Sequence, residues 1–380
     1  MTLRRVAVLD VGGTTLRSAM FDGAAGALGP VTRVPTAGLG IGAADREGGQ
    51  PARKDVQRSV IEQVLTAAGH QVQAGADAAL LAFAGPVTAD GTVLAAPTVA
   101  GHDWRPINLA ELATRRLGVP VRVLNELTAA AWRYHGTERR PFCLITVSSG
   151  IGNKVLWGDR VLIDPDGYGG EIGHWQVDPG PQALPCECGG RGHLGGIASG
   201  RGALSVARDA ARRDPRAFAA SALARRGRVQ DVTTHDLVDA VHAGDTFAMD
   251  VVEVGVTALA LAITAMFTAV GLRRFLIIGG FAQALGPSYL NMLQRVLAAA
   301  GCFGLRRADI YAMVDFGAAD DDHSLIGAGR WAIDHPAAFS GRDLSAATAM
   351  LTGPQSGTSK QRPTKPQTQH RLTSTKELNR

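Results

Sequence analysis

The chain has 380 residues, 46% of them hydrophobic and 19% charged, with a formal net charge of +5. That length and apolar content exclude general disorder, a collagen and a small disulfide scaffold, and they predict two domains, each with its own core. Four cysteines and no basic-then-apolar start predict a reducing cytoplasm, where neighbouring cysteines bind metal more often than each other.

In chain order, Arg5–Asp10 reads as a buried strand, 11–15 as a tight turn and Leu16–Phe21 as the returning strand. Val56–Ala68 is an amphipathic helix, Ala79–Phe83 a strand, and Leu109–Leu117 a helix. Val119–Leu124 is a strand that delivers Asn125 and Glu126 at its carboxyl end, ahead of an Ala-rich helix. About 135 residues after the first hairpin its pattern returns: strand Phe142–Val147, glycine turn Ser148–Asn153, strand Lys154–Trp157. Two such units predict two lobes on one plan, with polar turns facing each other across a cleft. Val254–Gly271 runs 18 residues without a charge, the minimum for a membrane span. Its Ala and Thr content and the adjoining Asp250 and Glu253 predict instead a helix buried between two layers, and no membrane partner. Arg274–Ile278 is a strand ending in Gly279-Gly280, and Leu325–Ile333 a last helix. The lobes are expected at 1–119, completed by a last helix near 322–336, and at 120–321, with hinges near Gly118–Val121 and Asp320.

The basic excess is local. Residues 352–380 hold six Lys/Arg against Glu377 alone, which leaves 33 basic and 33 acidic residues in 1–351. Rich in Gln, Thr, Ser and Pro, that stretch cannot repay its ordering entropy. Residues 337–380 are therefore expected to form a mostly disordered basic tail, not a specific nucleic-acid arm.

Three glycine turns follow apolar strands. Asp10 with Gly12, Gly13, Thr14 and Thr15 sets a carboxylate beside exposed amides and hydroxyls, which suits Mg²⁺ and phosphate oxygens. Alone it is equally an ordinary hairpin with a capping Asp. Ser149, Gly150 and Gly152 in the second turn, and Gly279 and Gly280 in the third, make a nucleotide held between lobes the better reading. Walker-type loops are absent, and Gly190-x-Gly192-x-x-Gly195 lacks the preceding apolar strand of a dinucleotide fingerprint. Glu126, at a strand's carboxyl end, is the candidate base that takes a proton from a hydroxyl attacking a γ-phosphoryl group. His174, Cys186, Cys188 and His193, spaced H-x11-C-x-C-x4-H, offer four soft ligands for structural Zn²⁺.

These residues in this order resemble the ROK family of sugar kinases and sugar-responsive repressors, over roughly residues 5–335. Leu9–Thr14 looks like the family's first phosphate loop, Ser148–Asn153 its second, and Phe275–Gly280 its adenosine strand. Gly170-Glu171-Ile172-Gly173-His174, followed by Cys186-x-Cys188-Gly189 and Gly192, resembles its signature, which links a substrate-binding Glu to a zinc-binding His. The resemblance implies an α/β, two-lobed actin-like ATPase (ribonuclease H-like) fold with an interlobe cleft, and ATP, Mg²⁺ and structural Zn²⁺ as cofactors. It further implies substrate contacts at Thr98, Asn125, Glu171 and His174, and a homodimer.

Departures from the family pattern bear on chemistry. Glu126 stands for the usual Asp, His193 for the third zinc cysteine, Thr98 for a substrate-reading Asn, and Gly195 for a glutamate. Each lost buried hydrogen bond costs on the order of tenfold in affinity, so glucose is a poorer fit. The segment Phe142–Lys154 is similar to the branch that phosphorylates C7-cyclitols such as 2-epi-5-epi-valiolone in aminocyclitol antibiotic pathways. A cyclitol lacks the sugar ring oxygen and anomeric hydroxyl, which accounts for a missing glutamate at Gly195. The alternatives are a glucokinase or N-acylhexosamine kinase and, in another class, a non-catalytic sugar-binding regulator. A repressor needs a helix-turn-helix of about 60–80 residues before the first loop, and that loop starts at Asp10.

Overall fold

A computed structural model describes residues 3–39, 53–101, 103–164 and 167–340. Strand β1 (Arg5–Val11) pairs antiparallel with β2 (Thr15–Asp22), whose outer neighbours are β3 (Ala27–Leu28) and β4 (Thr32–Pro35). On the other side β5 (Ala78–Phe83) and β8 (Val121–Asn125) run parallel to β1, and a small hairpin, β6 (Thr92–Val93) and β7 (Ile107–Asn108), lies apart. All of β5 is buried because helices cover both faces of the sheet. Val6 and Val8 point to one core, while Ala7 and Leu9 point to another with Val60 and Val64 of α1 (Arg53–Gln73). Short α2 (Pro97–Ala100) and α3 (Leu109–Leu117) share that second side.

The second sheet repeats the plan in the order β11-β10-β9-β12-β13. Strand β9 (Phe142–Val147) pairs antiparallel with β10 (Ile151–Trp157), which carries β11 (Arg160–Val161); β12 (Phe275–Ile278) and β13 (Val314–Phe316) run parallel to β9. Between the sheets lies α4 (Glu126–Trp132), whose Leu127 and Ala130 share a core with Val8 and Leu80 of one sheet and Leu144 and Ile278 of the other. The remaining helices cover the far face of the second sheet: α5 (Gly195–Ala198), α6 (Gly200–Arg213), α7 (Pro215–Ala220), α8 (Thr234–His242), α9 (Thr246–Val270), α10 (Gly280–Leu285), α11 (Pro287–Ala300) and α12 (Arg307–Tyr311). Last, α13 (His323–Asp334) returns to α4 and the first sheet, with Leu325, Ala328 and Trp331 in the shared core.

Three expectations need correction. The second turn is only Ser148-Ser149-Gly150, because β10 already pairs at Ile151; Gly152 lies opposite Thr146 in the ladder, packed under Leu127. Helix α9 starts at Thr246, capped by the Asp245 carboxylate that accepts from the Ala248 N–H at 2.9 Å, and only one face is buried. Val254 and Leu261 are 46% and 51% exposed, so it is not sandwiched between layers. By length and composition α9 is the one helix among the described residues that could cross a membrane. Third, ordered chain continues past 336: Pro336–Phe339 form a 3-10 turn, with Phe339 buried at 6.2 Å from the Trp331 ring and the Ala338 carbonyl accepting from Arg122 Nε. The rest of the predicted tail, 341–380, lies outside the described residues.

Candidate active site

The first glycine turn is built around a buried charge. Asp10 is 3% exposed, and its cross-strand partner in the ladder is Arg17, whose Nη2 donates to Asp10 Oδ2 at 2.5 Å. Burial raises the Asp10 pKa and Arg17 opposes the rise, so the carboxylate depends on this pairing. Arg17 also reaches Asp321 at 3.1 Å, and Arg33 reaches Asp322 at 2.8 Å, which fastens the turn before α13 to the first sheet. Gly13 lies directly against Thr98; a Cβ there would come within 2.3 Å of the Thr98 carbonyl oxygen. The predicted substrate residue Thr98 therefore borders the first glycine turn.

The second and third turns meet each other. The Ser148 carbonyl accepts from the Gly200 N–H at the start of α6, and the Ser149 carbonyl from Arg201 Nε, both at 2.8 Å. Gly279 follows β12 and caps α10, which Gly280 opens, adjoining the Ser148 hydroxyl. Arg201 also pairs with Glu187 at 2.6 Å, so one guanidinium ties the second glycine turn to the loop between Cys186 and Cys188.

Asn125 ends β8 and caps α4, its Oδ1 accepting from the N–H groups of Leu127 and Thr128 at 3.0 and 3.1 Å. Its Nδ2 donates to the Gly85 carbonyl at 3.0 Å and to Glu126 Oε2 at 2.5 Å. Both amide hydrogens thus have partners within the chain, and the residue expected to hold ring hydroxyls also contacts Glu126. Burial pushes the Glu126 carboxyl up to about 8; its own backbone N–H lowers it, Asp10 raises it, Lys154 lowers it and Glu171 raises it. Asp10, Glu126, Glu171 and Lys154, far apart in sequence, therefore share one electrostatic site.

Glu171 precedes the 3-10 turn Ile172–His174, which Asn153 anchors to β10: its Oδ1 accepts from Ile172 N–H at 3.1 Å and its N–H donates to the Gly170 carbonyl at 3.2 Å. Ligand atoms of His174, Cys186, Cys188 and His193 all lie within 4.8 Å of one another. Cys188 Sγ stands 3.2 Å from His193 Nδ1, and Cys186 Sγ 3.9 Å from His174 Nδ1. Tetrahedral zinc with bonds of about 2.0–2.3 Å needs ligand separations of roughly 3.3–3.8 Å, so this set fits the ion with little movement. Among the described residues no other such group occurs. Gly195 starts α5 behind Gly173 and presents no side chain to the cleft.

Three residues escaped the sequence reading. Arg17 was accessible in principle from hairpin register, which sets it opposite Asp10. Lys154, 3% exposed, closes the segment similar to the cyclitol kinases but has no role marked by it, and Arg201 carries no motif.

A model of the ROK family matches residues 6–335. A C(7)-cyclitol 7-kinase from Streptomyces hygroscopicus subsp. jinggangensis is 49% identical over 334 residues, covering 86% of this chain and 93% of that protein. A 2-epi-5-epi-valiolone 7-kinase from an Actinoplanes species is 31% identical over 296 residues, covering 75% and 79%. Among solved structures, a ROK family glucokinase from Streptomyces griseus in complex with glucose and AMPPNP superposes with a TM-score of 0.67 at 23% identity, over 86% of this chain and 98% of that one. The molecule has the α/β, two-lobed actin-like ATPase fold. The chain belongs to the ROK family.

Proposed function

We propose that the chain is an ATP-dependent kinase that phosphorylates a hydroxyl of a C7-cyclitol of the 2-epi-5-epi-valiolone type, a step in cytoplasmic secondary metabolism that supplies aminocyclitol antibiotics. The observation that carries this reading is the carboxylate of Glu126 at the carboxyl end of β8, sharing its electrostatic site with Asp10 of the phosphate turn. Identity of 49% with a C(7)-cyclitol 7-kinase supports the substrate class, as do Thr98 and Gly195 in place of sugar-contacting groups. Free Cys143, Cys186, Cys188 and Cys302 agree with a reducing compartment.

Glu126 accepts the proton of the attacking hydroxyl, and Asn125 holds it in place. Glu171 orients the ring, on a turn braced by Asn153 and by the metal set of His174, Cys186, Cys188 and His193. Zinc bound there would supply rigidity alone, since four protein ligands leave no open position. Asp10 keeps Oδ1 free of Arg17, a hard oxygen suited to Mg²⁺, which when bound with ATP would offset phosphate charge. Closure of the lobes keeps water from the γ-phosphate.

The test is ATP consumption by the purified chain with C7-cyclitols, hexoses and N-acetylhexosamines. The highest kcat/KM is expected with a cyclitol; a preference for glucose would transfer the reading to a glucokinase, and ligand binding without turnover to a regulator. The assembly is proposed as a homodimer over the exposed Val254 and Leu261 side of α9. Sedimentation velocity should show a dimer that Leu261→Arg dissociates, and a monomeric parent chain would refute it.

A further inference from the structure

A cavity with room for a single water molecule or hydroxyl group opens where the end of β8, α4 and β10 meet, lined by Asn125, the neighbour of Glu126 in the chain. Asn125 lines it from the end of β8, Thr128 from α4 and Lys154 from β10, with Val87, Val123 and Ile163 as apolar walls. Two of its polar groups are under-satisfied. Thr128 is 2% exposed, and its hydroxyl has no hydrogen-bond partner. A threonine deep in a helix returns its hydroxyl to the carbonyl four residues back, but Thr128 sits in the first turn of α4 and that residue, Leu124, belongs to β8.

Lys154 presents the complementary problem. Its stem lies under Gly170, where the backbone has φ +77° and a Cβ would stand 2.9 Å from Lys154 Cδ. The ammonium has three donors, and Nζ donates one to the Gly169 carbonyl at 2.5 Å. With the side chain buried, water cannot freely serve the other two, and they have no protein acceptor among the described residues. A buried cation with spare donors, an orphaned hydroxyl and a small space for one oxygen together describe a site suited to an acceptor. Glu126 and Glu171 both interact with Lys154 electrostatically, which sets the cavity beside the reacting group.

We propose that Lys154 and Thr128 form an oxygen-binding subsite behind Glu126 that takes one hydroxyl or carbonyl oxygen of the ring substrate and so selects polyols bearing oxygen at that position. This rests on the kinase reading and adds the residues that discriminate among its substrates. Lys154 donates to the oxygen, and Thr128 accepts from it when it is a hydroxyl or donates to it when it is a carbonyl.

The experiment measures KM and kcat of the intact chain with its best cyclitol and with the monodeoxy analogues of that cyclitol, for the parent, Thr128→Val and Lys154→Met. In the parent one analogue should be disfavoured by about tenfold or more in kcat/KM. Both variants should raise KM for the full substrate by about tenfold, with most of the loss in KM, and should treat that one analogue and the full substrate nearly alike. Parent-like KM values with an unchanged ranking of the analogues would overturn the proposal, as would a loss confined to kcat. Thr128→Val preserves shape, so it decides the matter with the same series if Lys154→Met fails to fold. If the parent consumes no ATP with any polyol, the kinase reading fails separately; calorimetric binding of the cyclitols to the parent and Thr128→Val then tests the subsite, and equal affinities would reject it.

Discussion

Glu126→Gln is expected to lower kcat with the best substrate by a factor on the order of 10² to 10⁴ while ATP and substrate still bind, the usual loss for a positioned general base. The amide keeps the size of the side chain and can still contact Asn125, so what is removed is the capacity to take a proton. The pH profile gives an independent check. Glu126 acts as a base only when ionised, and burial with Asp10 and Glu171 nearby holds its carboxyl at about 8. Below that pH kcat/KM should fall about tenfold per unit, because it reports the free enzyme; above it the rate should level off. Lys154 lowers the Glu126 pKa, so Lys154→Met should move the limb to higher pH. A flat parent profile over about pH 6 to 9, or a Glu126→Gln variant with parental turnover, would remove Glu126 as the base.

The purified chain should carry about one zinc, and Cys188→Ser should remove most of it while lowering the thermal midpoint. The catalytic effect should fall on KM for the acceptor, by about tenfold or more, because Glu171 stands three residues before His174 on the same turn. KM for ATP should respond less, through the Glu187–Arg201–Ser149 connection to the second phosphate turn. His193→Cys should keep the metal, since a thiolate is an equally suitable ligand. Metal analysis far below one ion per chain in fully active protein would rule the centre out.

Much of the site was legible because its parts are contiguous. A carboxylate, two glycines and two threonines in six residues, or His174, Cys186, Cys188 and His193 within twenty, bring their chemistry together whatever the rest of the chain does. The strand at Phe142–Val147 and the helix at Leu109–Leu117 came out at their observed limits, the first as an apolar run and the second bounded by the Asn108 cap and Gly118. Other readings failed where partners are distant. Gly152 looked like a turn residue until pairing with Thr146 drew it into β10, and α9 looked fully buried because an apolar composition does not say how many faces the fold will cover.

Residue types and short spacings thus determined three glycine turns, a four-ligand metal set, a carboxylate at a strand end and a neutral body with a basic tail. Tertiary structure alone decided that the Asp10–Arg17 pair is buried, that Asn125 spends its amide on Gly85 and Glu126, and that Lys154 and Thr128 face one cavity from different elements. The physical reason is that burial and pairing are properties of surroundings. A lysine or threonine on a strand or helix gains a special role only when long-range packing withholds water and leaves its donors without a partner.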